Sequence, residues 1–190
     1  MSPPSAPLNV IKIGGGLAAV PGALDRVCRA LGASGCDHRI LVVPGGGLFA
    51  DTVREFDRTV GLSADAAHWM AILAMDQYAH VLAERIPGAM LIEEPGAMLR
   101  TLRSSGVAVL APSRWMRSAD VLPHSWEVTS DSIAAFVAGA LDAAQLILIK
   151  PAAELSDPVD PCFVTTLPAG LPYFILRWDR MDELAERLSG

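Results

Sequence analysis

Short apolar runs alternate along this chain with longer stretches whose apolar residues recur every three or four positions. The runs are continuous, as in Leu146-Ile147-Leu148-Ile149, which is typical of strands buried on both faces of a parallel sheet. On this basis strands are predicted at residues 8–13, 39–43, 89–92, 107–110, 146–149 and 173–178.

The stretches between these runs have helical spacing. Leu24, Cys28 and Leu31 share one face of the first, and Ser63 is a good N-cap for the longest, which runs to about residue 85. Thr129 or Ser130 caps another that ends near residue 143. The remaining helices are predicted at residues 21–33, 49–60, 95–104 and 181–188, and residues 114–128 are predicted to form an irregular loop. Strands alternating with helices predict an α/β fold with a mainly parallel sheet covered on both faces.

Composition narrows the class of protein. A length of 190 residues fits one domain with an ample core, and 52% hydrophobic residues with a mean hydropathy of +0.37 suit buried strands. A net charge of −6 and a pI near 5.1 argue against a nucleic-acid partner. A phosphorylated small substrate stays compatible, because local loops and ammonium groups can bind an anion within an acidic protein.

The cysteines and the termini suggest a cytoplasmic protein. Three cysteines are an odd number without metal-ligand spacing, so they are expected to be reduced thiols. The first seven residues lack a basic region followed by an apolar core, so no secretory signal is expected. The most apolar stretch, residues 133–149, is interrupted by Asp142 and Gln145 and is not expected to span a membrane.

Lysine is rare and specifically placed. The chain has two lysines against thirteen arginines, and both lysines, Lys12 and Lys150, stand at the end of a predicted strand. A lysine ammonium is a compact point charge on a thin stem, which fits between phosphate oxygens where the wide arginine fork does not. Two such groups near glycine loops indicate a phosphoryl-transfer site. The alternative is that two lysines survived by chance in an arginine-rich chain.

Two glycine triplets, each between a strand and a helix, are the second candidate feature. They are formed by Gly14, Gly15 and Gly16 and by Gly45, Gly46 and Gly47. Glycine lets the backbone approach a phosphate closely, and a following helix N-terminus offers free N–H groups. Because the carboxyl ends of parallel strands meet at one edge, both triplets are expected to contribute to one anion pocket. Two tight turns with no ligand are the alternative.

A carboxylate is available to hold the two ammonium groups. Asp131 lies at the start of a predicted helix, in Thr129-Ser130-Asp131-Ser132. At ~4 Å and an effective dielectric of about 20, a carboxylate and an ammonium attract each other by about 4 kcal/mol before desolvation. Asp131 is therefore a candidate to position both lysines, although Ser and Asp are also ordinary first-turn residues.

Several other side chains are candidates with open alternatives. His68 lies on a helical stripe with Ile72 and Met75, where a histidine is more often a packed core residue than a catalyst. Asp76 follows on the same helix and is expected to point toward the glycine loops. The predicted loop contains Trp115, His124 and Trp126, which could stack on a flat ring or only fill the core of the loop.

Taken together, the four motifs resemble the amino acid kinase family. The order is Lys-x-Gly-Gly-Gly, Pro-Gly-Gly-Gly, Thr-Ser-Asp before a helix, and a strand ending in Lys, over residues 10–150. The resemblance implies a three-layer αβα sandwich and transfer of the terminal phosphoryl group of ATP to a carboxylate or a phosphate. The implied partner is a small phosphorylated substrate.

A narrower resemblance is to the [5-(aminomethyl)furan-3-yl]methyl phosphate kinase group, which adds a phosphate to an aminomethylfuran monophosphate in furan one-carbon-carrier biosynthesis. The residues that carry it include Asp51, Arg54, Asp57, His68 and Asp76, and the segment Pro123-His124-Ser125-Trp126-x-Val128-Thr129-Ser130-Asp131. The resemblance implies substrate contacts from Asp51, His68, Asp76, Trp126 and Ser130.

By the same resemblance, Lys12 and Lys150 neutralise charge on the transferred phosphoryl group and Asp131 orients both lysines. Backbone N–H groups of both glycine triplets bind phosphates. Mg²⁺ accompanies ATP and is held by phosphate oxygens rather than by a dedicated protein site. By their chemistry alone, Asp51, Asp76 and Asp120 are candidates for binding the substrate amine.

Two departures from the family pattern keep alternatives open. Gly16 and Leu17 stand where the family has a small polar residue, and Pro151-Ala152-Ala153-Glu154 replaces an Asp-Val-Asp-Gly segment that contributes to nucleotide binding. The chain is predicted to have an acceptor part at 8–150 and a shortened nucleotide side at 151–190. The alternatives are a non-catalytic binding or regulatory protein and a nucleoside monophosphate kinase. Trp69 and Leu73 on the long helix further suggest a subunit interface in a homo-oligomer.

Overall fold

Six parallel strands form the centre of the molecule. The computed structural model describes residues 6–102, 106–151 and 159–189. The strand order is β3-β4-β2-β1-β5-β6, and every neighbouring pair is parallel. The strands are β1 Leu8–Ile13, β2 Arg39–Pro44, β3 Met90–Ile92, β4 Gly106–Leu110, β5 Gln145–Lys150 and β6 Tyr173–Arg177. The predicted α/β fold with helices on both faces is confirmed.

The helices lie between the strands in sequence. They are α1 Ala23–Ser34, α2 Gly47–Val60, α3 Ala64–Arg85, α4 Pro95–Thr101, α5 Ser113–Ala119, α6 Ser130–Ala140, α7 Phe163–Thr166 and α8 Leu184–Ser189, with 3-10 helices at Gly15–Ala19 and Trp178–Glu183. The caps follow the sequence: the side chain of Ser63 accepts from the Ala66 N–H, and Thr129 rather than Ser130 caps α6. The predicted end of α4 at residue 104 lies outside the described residues.

One predicted loop is partly wrong. Residues 114–128 were expected to be irregular, but α5 occupies Ser113–Ala119. The Asp76 carboxylate accepts the backbone N–H of Ser113 at 3.0 Å and so stabilises the start of this short helix. Met116 is buried on its inner side, and Asp120 ends it in the left-handed conformation. A seven-residue helix held by a contact from another element leaves little periodicity in its own sequence.

Side-chain alternation sends both lysines to the same side of the sheet. Ile11 and Ile147 pack into the core cluster that contains α1 and α8, whereas Val10 and Leu148 pack into the cluster that contains α6. Because side chains alternate along a strand, Lys12 has the parity of Val10 and Lys150 that of Leu148. Both lysines therefore face α6, at the carboxyl ends of adjacent strands.

Helix α2 differs from the other long helices in its exposure. No side chain of α2 is buried, and the large apolar side chains of Leu48, Phe56 and Val60 are exposed. On α3, which packs against it, Leu73 is also exposed, whereas Arg117 covers the ring of Trp69 at 4.5 Å. Across the described ranges no helix is both long and apolar enough to cross a membrane.

Candidate active site

Two ammonium groups converge on one carboxylate at the carboxyl edge of the sheet. Lys12 Nζ lies 2.9 Å from Asp131 Oδ1, and Lys150 Nζ donates to Asp131 Oδ2 at 2.5 Å. All three residues are buried. The Lys12 contact is ionic, because Oδ1 has no donor with hydrogen-bond geometry among the described residues. The predicted contact of Asp131 with both lysines is confirmed.

Two lysine side chains face one carboxylate at this site, so their formal charges sum to +1 when both lysines are protonated. Burial lowers the pKa of Lys12 and the nearby Lys150 lowers it further, while Asp131 acts in the opposite direction. Burial alone would raise the pKa of Asp131, but the two ammonium groups outweigh it and the pKa falls below its ordinary value. Asp131 thus stays ionised, and an incoming anion would add the negative charge that the two lysines lack.

The glycine triplets interlock backbone to backbone. A Cβ atom on Gly15 would lie 2.1 Å from the Gly47 nitrogen, and one on Gly45 would lie 2.4 Å from the Gly15 nitrogen. These positions are closed to any other residue unless the loops separate. The close backbone approach that glycine permits is therefore an approach of the two loops to each other.

Only part of each triplet has free N–H groups. The Gly14 N–H donates to Ile149 O and the Gly45 N–H to Ile13 O, both at 2.8 Å. The expectation that these two amides bind phosphate is therefore wrong for this conformation, because they extend the sheet. The first hydrogen bond of α2 runs from Ala50 N to Gly46 O at 3.1 Å, so the preceding amides of its first turn, from Gly47 onward, have no intrahelical acceptor. Free amides at a helix N-terminus favour an anion.

A cavity of about 500 Å³ opens beside the loops. Its wall includes eight of the predicted site residues: Gly15, Gly16, Gly46, Gly47, Asp51, His68, Trp126 and Ser130. Lys12, Lys150 and Asp131 do not line it but lie buried at the carboxyl edge of the sheet. Asp76 is also outside the wall, since its carboxylate caps α5.

Asp57 and Arg54 are wall residues that were named only as part of the motif. Trp126 Nε1 donates to Asp57 Oδ2 at 2.7 Å, and the Arg54 guanidinium lies 4.6 Å from the centre of the Trp126 ring. The indole is therefore fixed at its edge and covered on one face. Asp51, one turn before Arg54, pairs with it at 3.0 Å and is largely exposed. Positions 51, 54 and 57 are three residues apart and therefore neighbours on one helix, and this spacing was the signal in the sequence for the cluster.

Two stacked histidines form another part of the wall. The rings of His68 and His124 are 4.2 Å apart and nearly parallel. His124 Nδ1 lies 2.6 Å from Asp65 and Nε2 lies 2.9 Å from Asp120, so the hydrogen bonds of both carboxylates raise the pKa of His124. Burial, and then the charge of His124, lower the pKa of His68. Of the two imidazoles, His124 is therefore the one that favours the protonated, positively charged form.

Asp160 is a functional neighbour that sequence reasoning missed. Its Oδ2 accepts from Thr129 N at 3.0 Å, Thr129 Oγ1 at 2.7 Å and Ser132 N at 3.0 Å, while Oδ1 accepts from Ser132 Oγ and Cys162 N. This buried carboxylate therefore fixes the first turn of α6, which carries Asp131. Asp160 is one of two Asp residues in a proline-rich stretch, and nothing in that pattern indicated this role.

The comparisons with known proteins agree with this geometry. The model of the amino acid kinase family matches residues 7–157. The [5-(aminomethyl)furan-3-yl]methyl phosphate kinase of Methanocaldococcus jannaschii is 31% identical over 141 residues, which cover 74% of this chain. That match spans 64% of the length of the relative.

Solved structures show the same fold at low sequence identity. UMP kinase from Bacillus anthracis has a TM-score of 0.70 at 12% identity, covering 96% of this chain and 93% of that chain. Aspartate kinase from Synechocystis has a TM-score of 0.68 at 12% identity, with 90% and 38% covered. Uridylate kinase from Archaeoglobus fulgidus has a TM-score of 0.57 at 18% identity, with 77% and 63% covered. With the family model matching most of its length, this chain belongs to the amino acid kinase family.

Proposed function

We propose that this protein is an ATP-dependent phosphotransferase whose acceptor is the phosphate of an aminomethylfuran monophosphate. The observation that carries the proposal is the convergence of Lys12 and Lys150 on Asp131, beside two interlocked glycine loops and a cavity of about 500 Å³. The acceptor is taken from the relative that carries this activity in its name. It would serve the biosynthesis of a furan one-carbon carrier.

The residues present suit phosphoryl transfer. A phosphate oxygen of the acceptor would form the new P–O bond to the terminal phosphorus of ATP, while the bond to the oxygen of departing ADP breaks. Such a transfer needs in-line positioning and stabilisation of spreading negative charge, with little covalent participation from the protein. The net positive lysine site and the free amides of α2 supply that stabilisation. A phosphate monoester is largely ionised near neutral pH, so no strong general base is required.

ATP and Mg²⁺ are part of the proposal. The donor set fits phosphate groups, because backbone amides at the start of α2 and two buried ammonium groups all favour anions. Within the described ranges, no group of three or more His, Cys, Asp or Glu side chains forms a metal cluster. Mg²⁺ would accordingly be held by phosphate oxygens and water. The nucleotide would bind on the side of residues 151–190. Residues 152–154, which belong to the divergent segment, lie outside the described residues.

We also propose a cellular location and an oligomeric state for the protein. We place the protein in the cytoplasm with no nucleic-acid or membrane partner. The exposed apolar side chains of Phe56, Val60 and Leu73 on α2 and α3 support self-association through these helices. Light scattering on the purified protein should then give at least a dimer, and a monomer at micromolar concentration would remove this part.

The experiment is an ADP-release assay with Mg-ATP and a panel of acceptors. We expect turnover with the aminomethylfuran monophosphate and little with UMP. A preference for UMP would instead favour a nucleoside monophosphate kinase. Tight binding of the furan phosphate by calorimetry, with no ADP release from folded protein, would favour a non-catalytic binding protein.

A further inference from the structure

Asp57 is a half-buried carboxylate on the cavity wall that has no cationic partner among the described residues. Its Oδ1 accepts from the Leu62 N–H at 2.8 Å and its Oδ2 from Trp126 Nε1 at 2.7 Å. Both donors are neutral, and among the described residues no ion pair includes Asp57. A carboxylate has about four acceptor positions, so roughly two remain for a ligand.

The other carboxylates near the cavity are already committed. Asp65 and Asp120 contact His124, and Asp76 caps α5. Asp51 lines the cavity too, but it is largely exposed and paired with Arg54. Of the carboxylates on the described wall, Asp57 is thus the one that is partly shielded from water and belongs to no ion pair.

The position of Asp57 along α2 gives the cavity a polarity. Free amides lie at the start of this helix near Gly47, and Asp57 follows ten residues later, about 15 Å along the axis. The wall is therefore favourable to an anion at one end and to a cation at the other. That span suits two phosphoryl groups followed by a small ring.

The aromatic neighbour of Asp57 supports the same assignment. The Trp126 indole N–H donates to the Asp57 carboxylate and so holds the ring beside it, while Arg54 occupies one face of the ring. A flat ring can pack against such a fixed side chain, and an ammonium is favoured beside both an aromatic ring and a carboxylate. Apolar residues such as Ile72 and Met75 complete the wall.

We propose that Asp57 is the counter-ion for a cationic amine at the end of the substrate opposite its phosphate, so that the cavity selects a zwitterionic ligand. The assignment rests on the proposed function for the identity of the substrate. The cation site itself is a property of the wall. A nucleoside monophosphate carries no such cation and would not use Asp57.

The test compares two small probes that share a benzyl group but end in a cationic ammonium or in a neutral hydroxyl. Benzylamine and benzyl alcohol are titrated without ATP and followed by ligand-observed NMR, against the wild type, Asp57→Asn, Asp51→Asn and Glu55→Gln. Glu55 is on the same helix but outside the cavity, paired with Arg58, so its variant controls for a general change of charge. We expect the wild type and Glu55→Gln to bind the amine about tenfold more tightly than the alcohol, and Asp57→Asn to lose this preference.

A second pair of variants guards against local damage. Asn at position 57 could place an amide N–H against the Trp126 indole, so Trp126→Phe is compared with the double variant Asp57→Asn and Trp126→Phe. Trp126→Phe should keep the preference for the amine and the double variant should lose it. An unchanged preference in both variants without Asp57 overturns the proposal, as does loss of the preference in Asp51→Asn instead, or no preference in the wild type.

Calorimetry with the aminomethylfuran monophosphate and its hydroxymethyl counterpart separates this inference from the proposed function. About tenfold weaker binding of the furan amine to Asp57→Asn, with unchanged binding of the hydroxymethyl compound, supports both proposals. If neither furan phosphate binds the wild type while benzylamine still depends on Asp57, the acceptor is wrong and the cation site stands.

Discussion

Gly15 and Gly47 lie so close that a single added carbon on Gly15 would come within 2.1 Å of the Gly47 nitrogen. The two glycine loops are thus packed together as one structural unit, and a side chain on Gly15 would force them apart. Gly47 also has a positive φ of 55°, a conformation that L-residues rarely adopt.

Gly15→Ala should therefore separate the loops and displace the free amides of α2. We expect the free energy of unfolding to fall by about 1–3 kcal/mol and phosphate binding to weaken strongly. Gly16→Ala is the matched control, since a Cβ there would only touch the Pro151 side chain at 3.4 Å. Calorimetric unfolding with and without inorganic phosphate measures both effects. Equal behaviour of the two variants would contradict the interlocked arrangement.

Asp131→Asn should destabilise the protein at neutral pH. The change leaves two buried ammonium groups without their carboxylate, and breaking a buried ion pair typically costs about 3–5 kcal/mol. A buried lysine with a lowered pKa binds fewer protons when folded than when unfolded. Stability of the variant should accordingly rise as the pH is raised from 7 toward the pKa of free lysine.

Denaturant unfolding at several pH values measures this difference. Asp37→Asn, in an exposed turn, is the control and should stay within about 0.5 kcal/mol of the wild type. A variant at position 131 that is as stable as the wild type at pH 7 would mean that the lysines do not depend on this carboxylate.

The pKa of His124 should lie above the ordinary histidine value of 6.5, and the pKa of His68 should lie below it. The contacts of His124 with Asp65 and Asp120 stabilise the fold fully below that value and are lost as the pH rises through the raised pKa of His124. His68 does the reverse, because its folded pKa is lowered and protonation below 6.5 opposes folding. NMR titration of the two rings, assigned with His124→Asn, measures both values. A pKa of His68 above that of His124 would refute the arrangement.

Much of the fold could be read from the sequence because buried parallel strands are written as continuous apolar runs. The positions of Lys12 and Lys150 at the ends of predicted strands also indicated a shared site, and Asp131 at a helix start was the candidate carboxylate for both. Family resemblance supplied the roles proposed for these residues.

Contacts between distant segments were beyond the sequence. The bond from Trp126 to Asp57 joins positions 69 residues apart, and Asp160 reaches Ser132 across 28 residues. Neither pairing leaves a periodic pattern in the chain. Asp76 was misplaced for a similar reason, since its partner is a backbone amide of α5, a helix too short to be recognised.

Asp160→Ala should loosen the start of α6 and with it the position of Asp131. The carboxylate accepts five hydrogen bonds in all, and loss of a cap alone costs about 0.5–2 kcal/mol. We expect a loss of roughly 3 kcal/mol, since the other donors are left unpaired as well. The control is Thr165→Ala, which removes an exposed hydroxyl from the following helix α7. Equal midpoint temperatures of thermal unfolding for the two variants would argue against the role of Asp160 in anchoring α6.

Phosphorus NMR shows whether this protein transfers a phosphoryl group and whether Lys12 and Lys150 stabilise that transfer. Purified protein is incubated with Mg-ATP and the aminomethylfuran monophosphate, alongside Lys12→Ala, Lys150→Ala and the exposed control Arg26→Ala. We expect diphosphate signals with equimolar ADP from the wild type and Arg26→Ala, and rates at least about a hundredfold lower from both lysine variants in folded form. Full activity in both lysine variants would rule out the proposed role of the lysines, and unchanged ATP and acceptor with the folded wild type would rule out the transfer itself.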